Sequence, residues 1–316
     1  VSAFPPTTDS PFERLIAAVL RGVLRATLRP TFRTGLPIAQ QRRRLERIAR
    51  LTSPARGVTC TPTELGGVTG ERLQARGSAT PTGTVLYLHG GAYCVGSPAT
   101  HRSITTRLAR LTGASVFAAN YRLAPEHPFP AAVDDAVAAY RGMLATGFGP
   151  ECIAIAGDSA GGGLALATTL RLRELGQPLP AALVLFSPWV DLGAPDRGPE
   201  PAGEVMVSLP WVNECALAYL DGKDPADPLA SPINGDLRGL PPTLIQVGQD
   251  EILLQDSRRL QQALDAVAVE VALQEYPRRW HVFQTNAGVL ADADRALASA
   301  AAFICSSTKS ATASRA

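Results

Sequence analysis

Histidine is scarce in this 316-residue chain. Only four are present, His89, His101, His127 and His281, so chemistry that needs an imidazole has few candidates. The five cysteines, Cys60, Cys94, Cys152, Cys215 and Cys305, are odd in number and contain no Cys-x-x-Cys pair, so neither a disulfide framework nor a thiolate zinc site follows. Unpaired thiols favour a reducing compartment, and a cytoplasmic location is expected. No apolar run approaches the roughly 18 residues that span a bilayer. The stretch from Leu15 to Leu20 is too short and runs into arginines, unlike a secretory leader. The net charge is only +2, so no bulk field argues for nucleic acid as a partner. Internal repeats are absent. Gly161-Gly162-Gly163 lacks the G-x-G-x-x-G spacing and the following acid of a dinucleotide site.

What the chain does have is apolar matter. Hydrophobic residues make up 46% and charged residues 18%, enough for a sizeable core in one large domain or two small ones. From Thr84 onward, short apolar runs alternate with helix-compatible segments, which signals an α/β protein with a mostly parallel sheet and helices on both faces. Strands are expected at Thr84–Leu88, Ser115–Ala119, Cys152–Ala156, Leu183–Phe186, Leu244–Val247 and Val269–Gln274. Crossover helices are expected near Thr100–Thr112, Ala131–Thr146, Ala160–Leu175, Asp256–Ala266 and Ala287–Cys305. Val58 to Arg76 has the short alternating pieces of antiparallel opening strands.

Gly157-Asp158-Ser159-Ala160-Gly161 follows the apolar run Cys152–Ala156 and opens a helical one, which fits the G-x-S-x-G nucleophile elbow. A strand that turns sharply into a helix strains the backbone at Ser159, and a Cβ at Gly157 or Gly161 would crowd the turn. The Ser159 hydroxyl would then stand at the positive end of the helix. His89-Gly90-Gly91-Ala92-Tyr93 follows the strand at Thr84–Leu88 in the manner of an oxyanion loop. Acyl transfer puts negative charge on a former carbonyl oxygen, and preorganised N–H groups stabilise it, each worth roughly 3 kcal/mol. The amides of Gly91, Ala92 and Ala160 are assigned as those donors.

The base is chosen by elimination. His89 belongs to the glycine loop, His101 opens a helix where it should face solvent, and His127 lies in a proline-rich loop as a packing or hydrogen-bonding residue. His281 alone follows a strand late in the chain, in the order serine, acid, histidine. Asp250 lies just past the strand Leu244–Val247 and is favoured as the acid over its neighbours Glu251 and Asp256.

A longer signature runs from Asn120-Tyr121-Arg122-Leu123-Ala124-Pro125-Glu126 to Asp134-Asp135. With His89-Gly90-Gly91, Gly157-Asp158-Ser159-Ala160-Gly161-Gly162, Ser187-Pro188-Trp189, Asp250-Glu251-Ile252-Leu253-Leu254 and Trp280-His281-Val282-Phe283, it closely resembles the hormone-sensitive-lipase-like carboxylesterases, over about Thr84 to Phe303. The resemblance implies an α/β-hydrolase fold with a mobile helical cap and cofactor-free hydrolysis of short- to medium-chain carboxylic esters. No metal or cofactor site is expected. Amides, lactones and acetylated sugars remain alternatives on the same residues, and a receptor that has lost the reaction is disfavoured because His281 is kept. The family's loop often reads His-Gly-Gly-Gly. Ala92 in place of the last glycine keeps its N–H, so the hole should survive if its φ is negative. A homodimer is left open.

Composition and spacing divide the chain into N-terminal cap helices over residues 1–50, a catalytic domain over 51–305 and a Ser/Thr/Ala-rich tail over 306–316 that is expected to be disordered. A cap insertion at about 193–240 holds one short helix from Pro210 to Leu220. Pro30 and Pro37 break the N-terminal region into at least two helices. Arg14, Arg21, Arg25, Arg29 and Arg33 line one side of it. A membrane-surface helix is one reading, and a cap helix with its basic residues in water is the other. No stable insertion into a membrane is expected. Tyr93, Trp189, Met206, Trp211 and Phe283 are candidate pocket walls.

Overall fold

The computed structural model describes residues 10–52, 54–77, 83–194 and 198–309. Its centre is one eight-stranded sheet. In chain order the strands are β1 (Val58–Leu65), β2 (Val68–Ala75), β3 (Thr84–Leu88), β4 (Ser115–Ala119), β5 (Ile153–Asp158), β6 (Ala182–Phe186), β7 (Thr243–Gly248) and β8 (Val271–Tyr276). Their spatial order is β1-β2-β4-β3-β5-β6-β7-β8. β2 runs antiparallel to both neighbours, and the other pairs are parallel.

The sequence dictates this layering. β3 to β6 are continuous apolar runs that are buried throughout, as strands covered on both faces must be. The opening hairpin turns at Gly66-Gly67, both with positive φ, and a Cβ on Gly66 would lie 2.0 Å from the Ala138 carbonyl oxygen. Among the described residues, six of the eight α-helices flank the sheet or fill its crossovers: α3 (Arg102–Thr112), α4 (Ala131–Ala145), α5 (Ala160–Glu174), α7 (Leu254–Ala266) and α8 (Ala291–Ser307), with α6 (Leu209–Leu220) in the segment joining β6 to β7. The N-terminal arm contributes α1 (Pro11–Thr27) and α2 (Ile38–Ala49).

Helix α8 continues through Ser307, and the Lys309 amide donates to the Glu151 carbonyl oxygen at 2.8 Å, so the ordered chain passes the expected boundary at 306. The rest of that tail, 310–316, lies outside the described residues. Among the described residues no helix is long and apolar enough to cross a membrane.

The arginines of the N-terminal arm correct a second expectation. Several are not a solvated face but clamps that fasten the arm to the segment between β6 and β7 and to the rest of the molecule. Arg21 donates to the Gly203 carbonyl at 2.9 Å and to the Arg278 carbonyl and the Asp250 carboxylate at 2.6 Å each. Arg25 grips the Ala202 carbonyl, and Arg29 takes Glu200 and the Val207 carbonyl. Arg42 reaches the Cys94 and Ala124 carbonyls and pairs with Glu126. Buried Glu13 completes the attachment. Its carboxylate accepts from the amides of Ala291 and Asp292, at the positive end of α8.

Candidate active site

The elbow forms where β5 meets α5. Ser159 has φ +53°, a region that disfavours a side chain, and the surrounding main chain holds it there. Its amide donates to the Phe186 carbonyl, and its carbonyl accepts from the amides of Gly162, Gly163 and Trp189. The crowding expected at the flanking glycines is real. A Cβ on Gly157 would lie 2.2 Å from the Gly161 carbonyl oxygen, and one on Gly161 would lie 2.0 Å from that of Leu88.

The Ser159 hydroxyl lies 2.9 Å from His281 Nε2. His281 Nδ1 lies 3.0 Å from Oε1 of Glu251, not from Asp250. The physical reason is where the two adjacent carboxylates turn. Asp250 swings outward to Arg21 on α1 and is partly exposed. Glu251 points inward with no exposed side-chain surface. Its second oxygen accepts from the Ser187 hydroxyl at 2.7 Å and the Gly248 amide at 2.8 Å. Asp256, the other neighbour, lies in the first turn of α7. A carboxylate has only acceptors, so Nδ1 carries the imidazole proton and leaves Nε2 to accept from Ser159.

Ser187 was read only as part of a signature. It bridges the two arms of the site, because its hydroxyl also accepts from the Val282 amide at 3.2 Å. Glu204 was not foreseen. It is buried beneath α1, with one oxygen accepting from the amides of Val205, Met206 and Val207 and the other without a partner among the described residues. Burial raises its pKa, against the opposing influence of His281. Burial works against a charge on His281 too, but the hydrogen bond and charge of Glu251, helped by Glu204 and Asp158, win, and its pKa stands above the ordinary histidine value.

The glycine loop lies against the elbow. Gly91, Ala92 and Tyr93 all have positive φ, at +121°, +52° and +61°. The negative φ set as a condition at Ala92 is therefore not met. The loop reverses through a left-handed turn closed by the Cys94 and Val95 amides on the Gly91 carbonyl, and alanine takes that conformation at a cost of roughly 1 kcal/mol. The amides of Gly91, Ala92 and Ala160 have no acceptor among the described residues. Asp158 fixes the loop from below, accepting from the Gly90 amide at 3.0 Å and the Tyr87 hydroxyl at 2.6 Å.

His101 belongs to this support and is not solvent-facing. It is buried, with Nε2 3.2 Å from Asp158 Oδ2. Burial disfavours charge on both partners, but their mutual attraction outweighs it, raising the pKa of His101 and lowering that of Asp158. His89 stacks on Tyr121, and burial drops its pKa to about 3, so it stays neutral. His127 is exposed in its loop.

A cavity of about 150 Å³ opens over Ser159 and His281. Leu24, Leu28 and Phe32 from the N-terminal arm and Leu45 and Ile48 from α2 form one wall. Met206, Val207 and Trp211 from the segment between β6 and β7 form another. Met206 and Trp211 were expected there. Tyr93, Trp189 and Phe283 are packed in the core instead. Among the described residues, no group of histidine, cysteine and carboxylate side chains is arranged to hold a metal ion.

A parallel sheet with a serine on a strained strand–helix turn, beside a histidine from a later loop, defines the α/β-hydrolase class. The sequence profile of the alpha/beta hydrolase fold matches residues 85–285. The chain belongs to that family, within its hormone-sensitive-lipase-like esterases. It is 47% identical over 227 residues to an acetyl-hydrolase of Streptomyces hygroscopicus, covering 71% of this chain and 76% of the relative. It is 38% identical over 284 residues to an esterase of Acinetobacter venetianus, covering 89% and 93%. The crystal structure of an esterase from the bacterial hormone-sensitive lipase family superposes with a TM-score of 0.85 at 37% identity, covering 95% of this chain and 99% of that one. The protein is an ester hydrolase.

Proposed function

We propose that the protein is a serine carboxylesterase acting on short- to medium-chain acyl esters through an acyl-enzyme, with Ser159 as nucleophile, His281 as base and Glu251, in place of Asp250, as the acid. The observation that carries this reading is the hydrogen-bonded chain from the Ser159 hydroxyl through both nitrogens of His281 to Glu251. His281 Nε2 takes the hydroxyl proton as Ser159 Oγ attacks the ester carbonyl. The buried Glu251 carboxylate holds the ring and stabilises the imidazolium. The new oxyanion is received by the amides of Gly91, Ala92 and Ala160. Collapse of the tetrahedral species expels the alcohol, which takes the proton from Nε2. Water then attacks the acyl-enzyme, giving its proton to Nε2, and Ser159 leaves with that proton as the carboxylic acid is released. No step calls for a cofactor.

The cavity supports a short acyl group. It is small and lined mostly by apolar side chains from both parts of the cap. The names of the relatives, acetyl-hydrolase and esterase, agree with that choice. The test is a series of p-nitrophenyl esters from acetyl to dodecanoyl. kcat/KM should peak at four to eight carbons or below, on the order of tenfold or more above dodecanoyl, which needs only one or two misfitting methylenes at roughly 1 kcal/mol each. A flat or rising profile towards dodecanoyl overturns the chain-length assignment.

A further inference from the structure

Helix α1 turns an apolar stripe outward. Phe12, Leu15, Val19 and Val23, at spacings of three and four residues, form one stripe on its outer side and are 71%, 61%, 59% and 50% exposed. The opposite side, where Glu13 and Arg21 stand among Ile16, Ala17, Leu20, Leu24 and Leu28, is the one turned to the body, and its charged members make the attachments described above. An amphipathic surface helix of a globular protein ordinarily does the reverse. Here the hydrogen bonds of Glu13 and Arg21 help to fix the rotation of the helix, and the stripe stays largely exposed.

We propose that this stripe docks the enzyme on the surface of an anionic lipid bilayer, lying in the interface without crossing it. The charge around the stripe favours that occupant. From Ser10 to Thr52 there are ten arginines and two acidic residues, Glu13 and Glu46, and Glu13 is buried. Seven of the ten arginines are exposed, Arg14 and Arg25 on α1 and the others beyond it. Apolar side chains flanked by arginine are what binds at the headgroup level of acidic membranes.

A second copy of this chain fits the face poorly. The four side chains offer on the order of 400 Å² of apolar surface, the size of a functional patch on a monomer. Each partner of a stable dimer contributes roughly 800 Å². A symmetric pairing here would also bring two arginine-rich arms together. The stripe extends about 16 Å along the helix, at 1.5 Å per residue, so it can lie flat on a bilayer. The same helix supplies Leu24 and Leu28 to the cavity wall, so docking sets the substrate chamber beside the lipid phase.

The test is co-sedimentation of the full chain with vesicles of phosphatidylglycerol and phosphatidylcholine, compared with phosphatidylcholine alone. The wild type should partition at least tenfold more strongly onto the anionic vesicles, and raised salt should weaken that binding. The combined variant Phe12→Ser, Leu15→Ser, Val19→Ser and Val23→Ser should lose at least tenfold in partitioning. Its turnover of p-nitrophenyl acetate in solution should change less than twofold, which also shows that the variant is folded. Absence of wild-type binding to either vesicle overturns the proposal, as does equal binding by the variant. A wild-type dimer in sedimentation velocity that the variant dissolves assigns the face to a second copy instead. None of these outcomes bears on ester hydrolysis, which is read separately.

Discussion

The floor and the roof of the cavity are held by different means. The floor consists of residues that follow strands of the parallel sheet: Ser159 directly after β5, Glu251 after β7 and His281 in the loop after β8, where main-chain bonds such as Ser159 to Phe186 and Asp250 to Arg279 hold the turns. The roof, α1, α2 and the segment around α6, is held by long arginine side chains that tie its two parts together and reach from the arm to the loops beneath. Geometry at the floor is therefore set by the fold itself, and geometry at the roof by a few contacts that solvent can reach. Substitutions at the floor should act on the chemical step, while those at the roof should act on substrate binding.

The largest effect tests the floor. Ser159→Ala should reduce kcat towards p-nitrophenyl butyrate on the order of 10⁶-fold with unchanged thermal unfolding. Near-normal turnover would remove the nucleophile. Next comes the contrast between two adjacent acids. Glu251→Gln should cost roughly 10³–10⁴ in kcat, because the amide no longer holds the correct tautomer. Asp250→Asn, which loosens only an ion pair to the roof, should stay within about tenfold. If the two results are exchanged, the hydrogen bond at His281 Nδ1 has been misassigned.

The pH profile sharpens the same contrast. The proposed base, His281, works only when unprotonated, so kcat/KM should rise with pH through its pKa. Glu251 lifts that pKa above the ordinary value of about 6.5. The wild-type midpoint should therefore lie above it, and the residual activity of Glu251→Gln should have a lower midpoint. An unmoved midpoint would show that the carboxylate does not act on the ring. Arg21→Ala should act as a roof variant, raising KM several-fold and changing kcat little. An equal loss in both would mean that α1 also holds the floor. Smallest of all, incubation with a chelator should leave turnover unchanged, and strong inhibition would reveal a required metal ion.

The sheet was legible in the chain because a buried parallel strand must be apolar on both sides. Thr84–Leu88 and Ser115–Ala119 fall where those runs stand. The elbow was legible because two glycines are needed where Gly157 and Gly161 touch neighbouring carbonyls. The acid was not. Asp250 and Glu251 follow the same strand, and successive side chains of a turn point in different directions. What decides between them is the Ser187 hydroxyl and the Gly248 amide, which gather around Glu251, and Arg21, which takes Asp250 from 229 residues away. Periodicity likewise divided α1 into a basic side and an apolar side but could not say which faces the body. That depends on carbonyls of Gly203 and Arg278 that only the folded molecule brings near. His101 misled for a related reason, since the Asp158 that buries it is distant in the chain.

The arginine grips on main-chain oxygens have a consequence for how such an enzyme diversifies. Arg21, Arg25, Arg29 and Arg42 all hold peptide carbonyls, at Gly203, Ala202, Val207 and Cys94 among others. A carbonyl is common to all twenty amino acids. Side chains at positions such as Ala202 and Val207 can therefore be exchanged, and the chamber reshaped for another acyl group, while the hinge points that carry the roof stay where they are.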